Sequence, residues 1–171
     1  MVLVVSLIIL VIVTLLAISA LRVTTLEERM AGNTRDRHLA FEAAEYALRE
    51  AQDFLSAPVL PAFTVSGGSS GGWFTGLDTS PTGQSEDNYW MLTHPWSTKS
   101  VVAAKTTAVL TNQSQPRYVI EEFPAIPCKS DSLKWPPPQP RNVYRVTARG
   151  TGRTTDAEVM LQMWFDRGCT N

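Results

Sequence analysis

The chain has 171 residues, 15 Lys+Arg against 16 Asp+Glu, a net charge of −1 and two cysteines. No basic surplus points to nucleic acid. Cys128 and Cys169 form no CxxC and no Cys/His cluster, so nothing points to zinc.

From Val2 to Leu21 there is no charge, proline or glycine, and fifteen of these positions are Val, Leu or Ile. Twenty such residues in a helix rise about 30 Å, the thickness of a bilayer's hydrocarbon core. The polar breaks are Ser6, Thr14 and Ser19, which the apolar positions offset. A cleaved secretory signal would need a basic start and a shorter apolar run. Val2, Val5, Leu7, Leu10, Leu15 and Leu21 are therefore expected to anchor the chain in lipid, or in something that replaces lipid.

The pattern changes after Arg22 without a break. Leu26, Met30, Asn33, Arg37, Phe41, Ala44, Leu48, Ala51 and Leu55 recur at steps of three and four, the spacing of one helix face. The other face carries Glu27, Glu28, Arg35, Asp36, Glu42, Glu45, Arg49 and Glu50. Gly32 is the weak point, and Pro58 forbids much further helix. One helix over residues 1–56, about 80 Å long, is predicted. It would anchor by its first half and serve as a spine in its second.

Residues 57–171 are predicted to form a head. Ala57 to Asn88 is turn-rich, with GGSSGG at 67–72, and reads as a mobile surface loop. Gly67, Ser69 and Gly71 fit the spacing of a hydrolase elbow, but the strand and helix that the motif requires are missing from the pattern. Asp78, Ser80, Thr82 and Gly83 mimic the start of a calcium loop, yet Tyr89 stands where its glutamate belongs. Trp73, Phe74, Tyr89, Trp90 and Trp96 read as core cover first and partner anchors second. Residues 100–110 suit a short helix or a strand.

Three strand signals follow. Arg117–Phe123 is the first. Val143–Arg149 alternates, with Tyr144, Val146 and Ala148 on one face. Thr155–Phe165 alternates too, with Ala157, Val159, Leu161, Met163 and Phe165 on one face. A half-buried antiparallel sheet is expected, with a hairpin turn at Gly150–Arg153. Its apolar face has one obvious partner. Phe41, Ala44, Leu48, Ala51 and Leu55 are expected to pack on Tyr144, Val146, Val159 and Leu161. The fold class is α+β: a long N-terminal helix on a small antiparallel sheet. Pro124 to Pro140, with three consecutive prolines at 136–138, reads as a stiff connection, with a docking segment as the alternative. In an oxidising compartment Cys128 and Cys169 form a disulfide closing a loop of about 40 residues; two reduced core thiols are the alternative.

Thr24 to Ala51, TTLEERMAGNTRDRHLAFEAAEYALREA, together with the apolar run before it, resembles the N-terminal signature of the PilX-type minor pilins of type IV pili. YRVTARGTGRTTDAEVMLQMWF, Tyr144 to Phe165, is similar to the C-terminal end of the same family. The resemblance implies a type IV pilin-like fold and a structural role without a cofactor. It implies a precursor with a short basic leader, removed by a prepilin peptidase. Such a leader would also resolve a conflict in topology. Arg22, Arg29, Arg35 and Arg37 after the span favour a cytoplasmic head, while the cysteines favour the periplasm. Most pilins carry a glutamate at the fifth mature position; if Met1 is the first, Val5 stands there. An unpaired carboxylate in an apolar helix costs about 2.5–3.5 kcal/mol. In pilins it is thought to pair with a neighbour's amine, and Val5 cannot make that pair. That suits the fibre's tip, where no such neighbour exists; the alternative is that Val5 only suits a lipid-facing helix.

The expected function is therefore a minor pilin that waits in the inner membrane, primes pilus assembly and ends at or near the tip of a surface pilus. Its expected partners are other minor pilins, the major pilin and a tip adhesin; adhesion and twitching motility would depend on it. A minor pseudopilin of a type II secretion system uses the same physics. A rival of another class is a bitopic membrane protein with a periplasmic enzyme or sensor head. His38 and His94 show no acid–nucleophile arrangement, and no enzyme, metal or cofactor is expected.

Overall fold

Val2–Leu55 form one α-helix, α1, of 54 residues in the computed structural model. The structure describes residues 2–68, 71–75, 89–103, 114–128 and 140–169. Nothing in Val2–Leu55 interrupts the backbone ladder, because the first proline is Pro58. The helix ends in a tightened turn, with Ala57 N donating to Phe54 O at 3.1 Å.

Among the described residues the head is a five-stranded sheet: β1 (Trp73–Thr75), β2 (Val101–Val102), β3 (Arg117–Glu122), β4 (Val143–Thr151) and β5 (Glu158–Asp166). The order is β1-β3-β4-β5, and β2 also pairs with β3. The sheet is mixed rather than antiparallel throughout. β1 runs parallel to β3, with Trp73 opposite Ile120, while the other pairs are antiparallel. The glycine-rich stretch makes that parallel pairing possible. Gly67, Gly68 and Gly71 take positive φ, the region that favours glycine. Gly72 O then accepts from Ile120 N at 2.9 Å. Gly67 and Gly72 are buried, so this part of the expected mobile loop is a packed turn.

The hairpin differs from the expected tight turn. The ladder runs through Gly150 and Thr151, opposite Val159 and Glu158, and the connection is 152–157. The loop reaches outward because α1 holds it. Asp36 accepts hydrogen bonds from the backbone N–H of Arg153 and Thr154 and from the Thr154 hydroxyl.

The sheet is covered on both faces, not one. On the helix side, Ala47, Ala51 and Leu55 meet Tyr118, Ile120, Tyr144, Val146 and Ala148. On the rear, Phe74, Trp90, Trp96 and Val119 form a second cluster. A π-helical turn, Tyr89–Thr93, carries Trp90 into it. The bonds Trp96 Nε1 to Trp90 O, 2.9 Å, and His94 Nε2 to Lys99 O, 2.8 Å, fix that loop. Central strand β4 consequently buries Arg145 and Thr147 as well as its apolar positions. Arg145 makes a bidentate pair with buried Glu121, at 2.7 and 3.0 Å. Its guanidinium also lies 5.3 Å from the Phe123 ring centroid.

Candidate functional site

Among the described residues, nothing covers the first half of α1. Val2, Val5, Leu7, Leu10, Leu15 and Leu21 are all exposed; Leu10 is 65% accessible. The helix is long and apolar enough to cross a membrane, and its apolar window is 0% buried. Two of its three hydroxyls are satisfied within the helix. Ser6 Oγ donates to Leu3 O at 2.9 Å and Thr14 Oγ1 to Val11 O at 2.8 Å, so they need no outside partner. A continuous apolar surface of this length demands lipid or other apolar helices.

The second half holds the head by a face that overlaps the expected stripe and is turned from it towards the alanines. Its buried residues are Ala40, Ala43, Ala44, Ala47, Ala51 and Leu55. Ala44, Ala51 and Leu55 lie where the sequence placed them, with Tyr144 and Val146 also buried in the head. Leu48 packs partly buried against this core, and Val159 and Leu161 are partly buried on edge strand β5. Phe41 is the correction: it is 45% accessible and lies off the packed face. β4 comes too close for a large side chain. A Cβ added at Gly150 would sit 2.2 Å from Ala40 O and 2.4 Å from Ala44 N. Alanines on the helix and glycine on the strand let two backbones touch.

Asp36 fixes the top of that contact. The Thr154 hydroxyl and the Arg153 N–H hold its carboxyl below the usual value of 3.8. Sequence reading put Asp36 on the solvated face, because no local pattern announces a partner more than a hundred residues away. The alanine face did carry a signal: small residues at 40, 43, 44, 47 and 51 follow helical spacing.

Cys128 and Cys169 form a disulfide, with Cα atoms 6.1 Å apart. It ties the segment after β3 to the chain end after β5.

Among the described residues, the two histidines lie apart, one on the helix and one in the loop behind the sheet. His38 is exposed on α1. His94 is buried and bonded through both ring nitrogens, to Lys99 O and the Tyr89 hydroxyl; burial pushes its pKa down. Ser69 of the hydrolase-like motif, Asp78–Gly83 of the calcium-like loop and the prolines at 136–138 lie outside the described residues. So does the 104–110 part of the segment that suited helix or strand; its start forms β2.

Residues 1–49 match the family described as PilX N-terminal, and residues 59–167 match Type IV pilus assembly protein PilX C-term. Comparisons with curated proteins and with solved structures gave no match. The two family matches meet the two structural parts, a bare apolar helix and a sheet seated on its continuation. The chain belongs to the PilX family of type IV pilus proteins, a family of structural rather than catalytic subunits.

Proposed function

We propose that the chain is a minor pilin that primes type IV pilus assembly and sits at or near the fibre tip. There it links other minor pilins and the major pilin to a tip adhesin. The single observation that carries this reading is the solvent-bare apolar half of α1, continuous with the helix that bears the head. In the inner membrane that surface is covered by lipid, with the head in the periplasm. In a filament it is covered by like helices, so it passes between two apolar surroundings without meeting water. Val2–Leu21 carries no carboxylate, so the apolar half of the helix offers no acidic side chain to a neighbour's amine. That absence supports a terminal place over one inside the stack.

The test is a gene deletion with immuno-labelling of surface pili. The expected result is few or no pili in the deletion strain, recovery on complementation, and label at filament ends. Loss of adhesion and twitching should follow. Normal pili in the deletion strain, with the protein missing from the filaments, would overturn the proposal.

A further inference from the structure

Arg117, Arg145 and Arg149 stand on the rear face of β3 and β4, and two of them are matched by carboxylates. Arg145 meets Glu121 through Nε and Nη2, at 2.7 and 3.0 Å. Arg149 meets Glu158 through the same two nitrogens, at 2.6 and 2.8 Å. That edge of a guanidinium is the fork that fits the two oxygens of a carboxylate.

Arg117 is held differently. Its Nη1 donates to Trp96 O at 3.0 Å, Ser97 O at 3.4 Å and Ser100 Oγ at 3.2 Å. These bonds clamp the loop after the π-helical turn onto β3. Among the described residues, Nε and Nη2 of Arg117 bond to nothing, and no carboxylate pairs with it. Arg117 is half-buried, so a counter-charge would stabilise it.

The register sharpens the point. Arg117 stands directly opposite Arg149 across β3 and β4. Like charges so placed are destabilising. Glu158 balances Arg149 and leaves one positive charge over. Beside both arginines lies a cavity of about 140 Å³, lined by Trp96, Ser97, Ser114, Arg117, Arg149 and Thr151 among others. Sites for drug-sized ligands run to roughly 300–1,000 Å³, so this cavity suits a much smaller group. A carboxylate carries one negative charge and matches the charge left over; a phosphate carries up to two.

We propose that this cavity binds one carboxylate group, taken bidentately on the Nε–Nη2 edge of Arg117. The carboxylate belongs to an Asp or Glu side chain of a partner chain or to a small free acid. The site does not rest on the pilus role.

The test titrates the full-length, isotope-labelled protein in detergent, with ionic strength held constant by chloride. The probes are acetate, glutamate capped at both backbone ends, acetamide and inorganic phosphate. The readout is the Nε–H resonance of Arg117. The expected result is a saturable shift with both carboxylates and none with acetamide. The Nε–H of Arg149, already bonded to Glu158, should stay in place. Tighter binding of capped glutamate than of acetate assigns the site to a partner's side chain; equal or weaker binding assigns it to a free acid. Arg117→Gln should raise the half-saturating acetate concentration about tenfold, read at the Ser114 amide. Because that variant also loosens the loop, Ser97→Glu is a second one. Ser97 is exposed and meets Arg117 through its carbonyl, so the clamp is kept while a built-in carboxylate fills the cavity. Acetate should then no longer shift Arg117. An equal shift with acetamide, tighter binding of phosphate than of acetate, no saturation, or an unchanged response in Ser97→Glu would each overturn the proposal.

Discussion

Val2–Leu21 and Ala40–Leu55 lie on one helix and both are rich in apolar residues, yet they differ in side-chain size and in what covers them. The first is built from Val, Leu and Ile, and all its large side chains are exposed. The second buries alanines. Large branched side chains maximise transfer from water into a fluid apolar phase, which adapts to any shape. Alanines gain little area each, but they let a strand approach to backbone contact, where the fit is unique. Apolarity therefore says that a helix face is covered; side-chain size says whether a fluid or a fixed partner covers it.

Gly150→Ala should break this division most severely. The new Cβ would meet Ala40 O and Ala44 N, both backbone atoms that cannot swing away. The head should lose about 3 kcal/mol or more. Urea unfolding followed by tryptophan fluorescence reads this, since all the tryptophans lie beyond the helix. An unchanged midpoint would mean that the alanine face does not carry the head.

Leu10→Arg sharpens the contrast from the other side. A charge at this depth should cost about 2.5–3.5 kcal/mol of membrane insertion. Leu10 touches no part of the head, so the urea midpoint should not move. Alkaline extraction of membranes separates the two effects in one preparation.

Asp36 stands at the boundary between the halves, and its effect depends on pH. Bonds from Thr154 and Arg153 lower its carboxyl below the unfolded value of 3.8. The stabilisation is present above that value and is lost as pH falls through the lower, folded one. Asp36→Asn should flatten the acid limb of the stability profile below pH 3.8, with little change of slope near neutrality. A limb as steep in the variant as in the parent would remove Asp36 from the account.

The long helix was legible because its signal is local: a bilayer's length of uncharged residues, then charges at helical spacing, then Pro58. The β4 and β5 strands were legible through their period of two. What escaped was set by distant partners. The parallel place of β1 depends on three glycines at positive φ and on Ile120, far along the chain. The rear cover of the sheet depends on Trp90 and Trp96 folding back from a loop with no period of its own. One edge of the helix face was misplaced because Phe41 is the largest apolar residue at the right spacing. Size drew the reading towards Phe41, while backbone approach selected Ala40 and Ala44.

Phe41 therefore supplies the smallest effect and the finest discrimination. If it were part of the packed face, truncation would leave a cavity and cost about 3–5 kcal/mol. At 45% accessibility it has little burial to lose. Phe41→Ser should change the unfolding free energy by no more than about 0.5 kcal/mol, as for an exposed site. Unchanged stability would give this residue to the outer surface of the head. A large loss of stability would return it to the core.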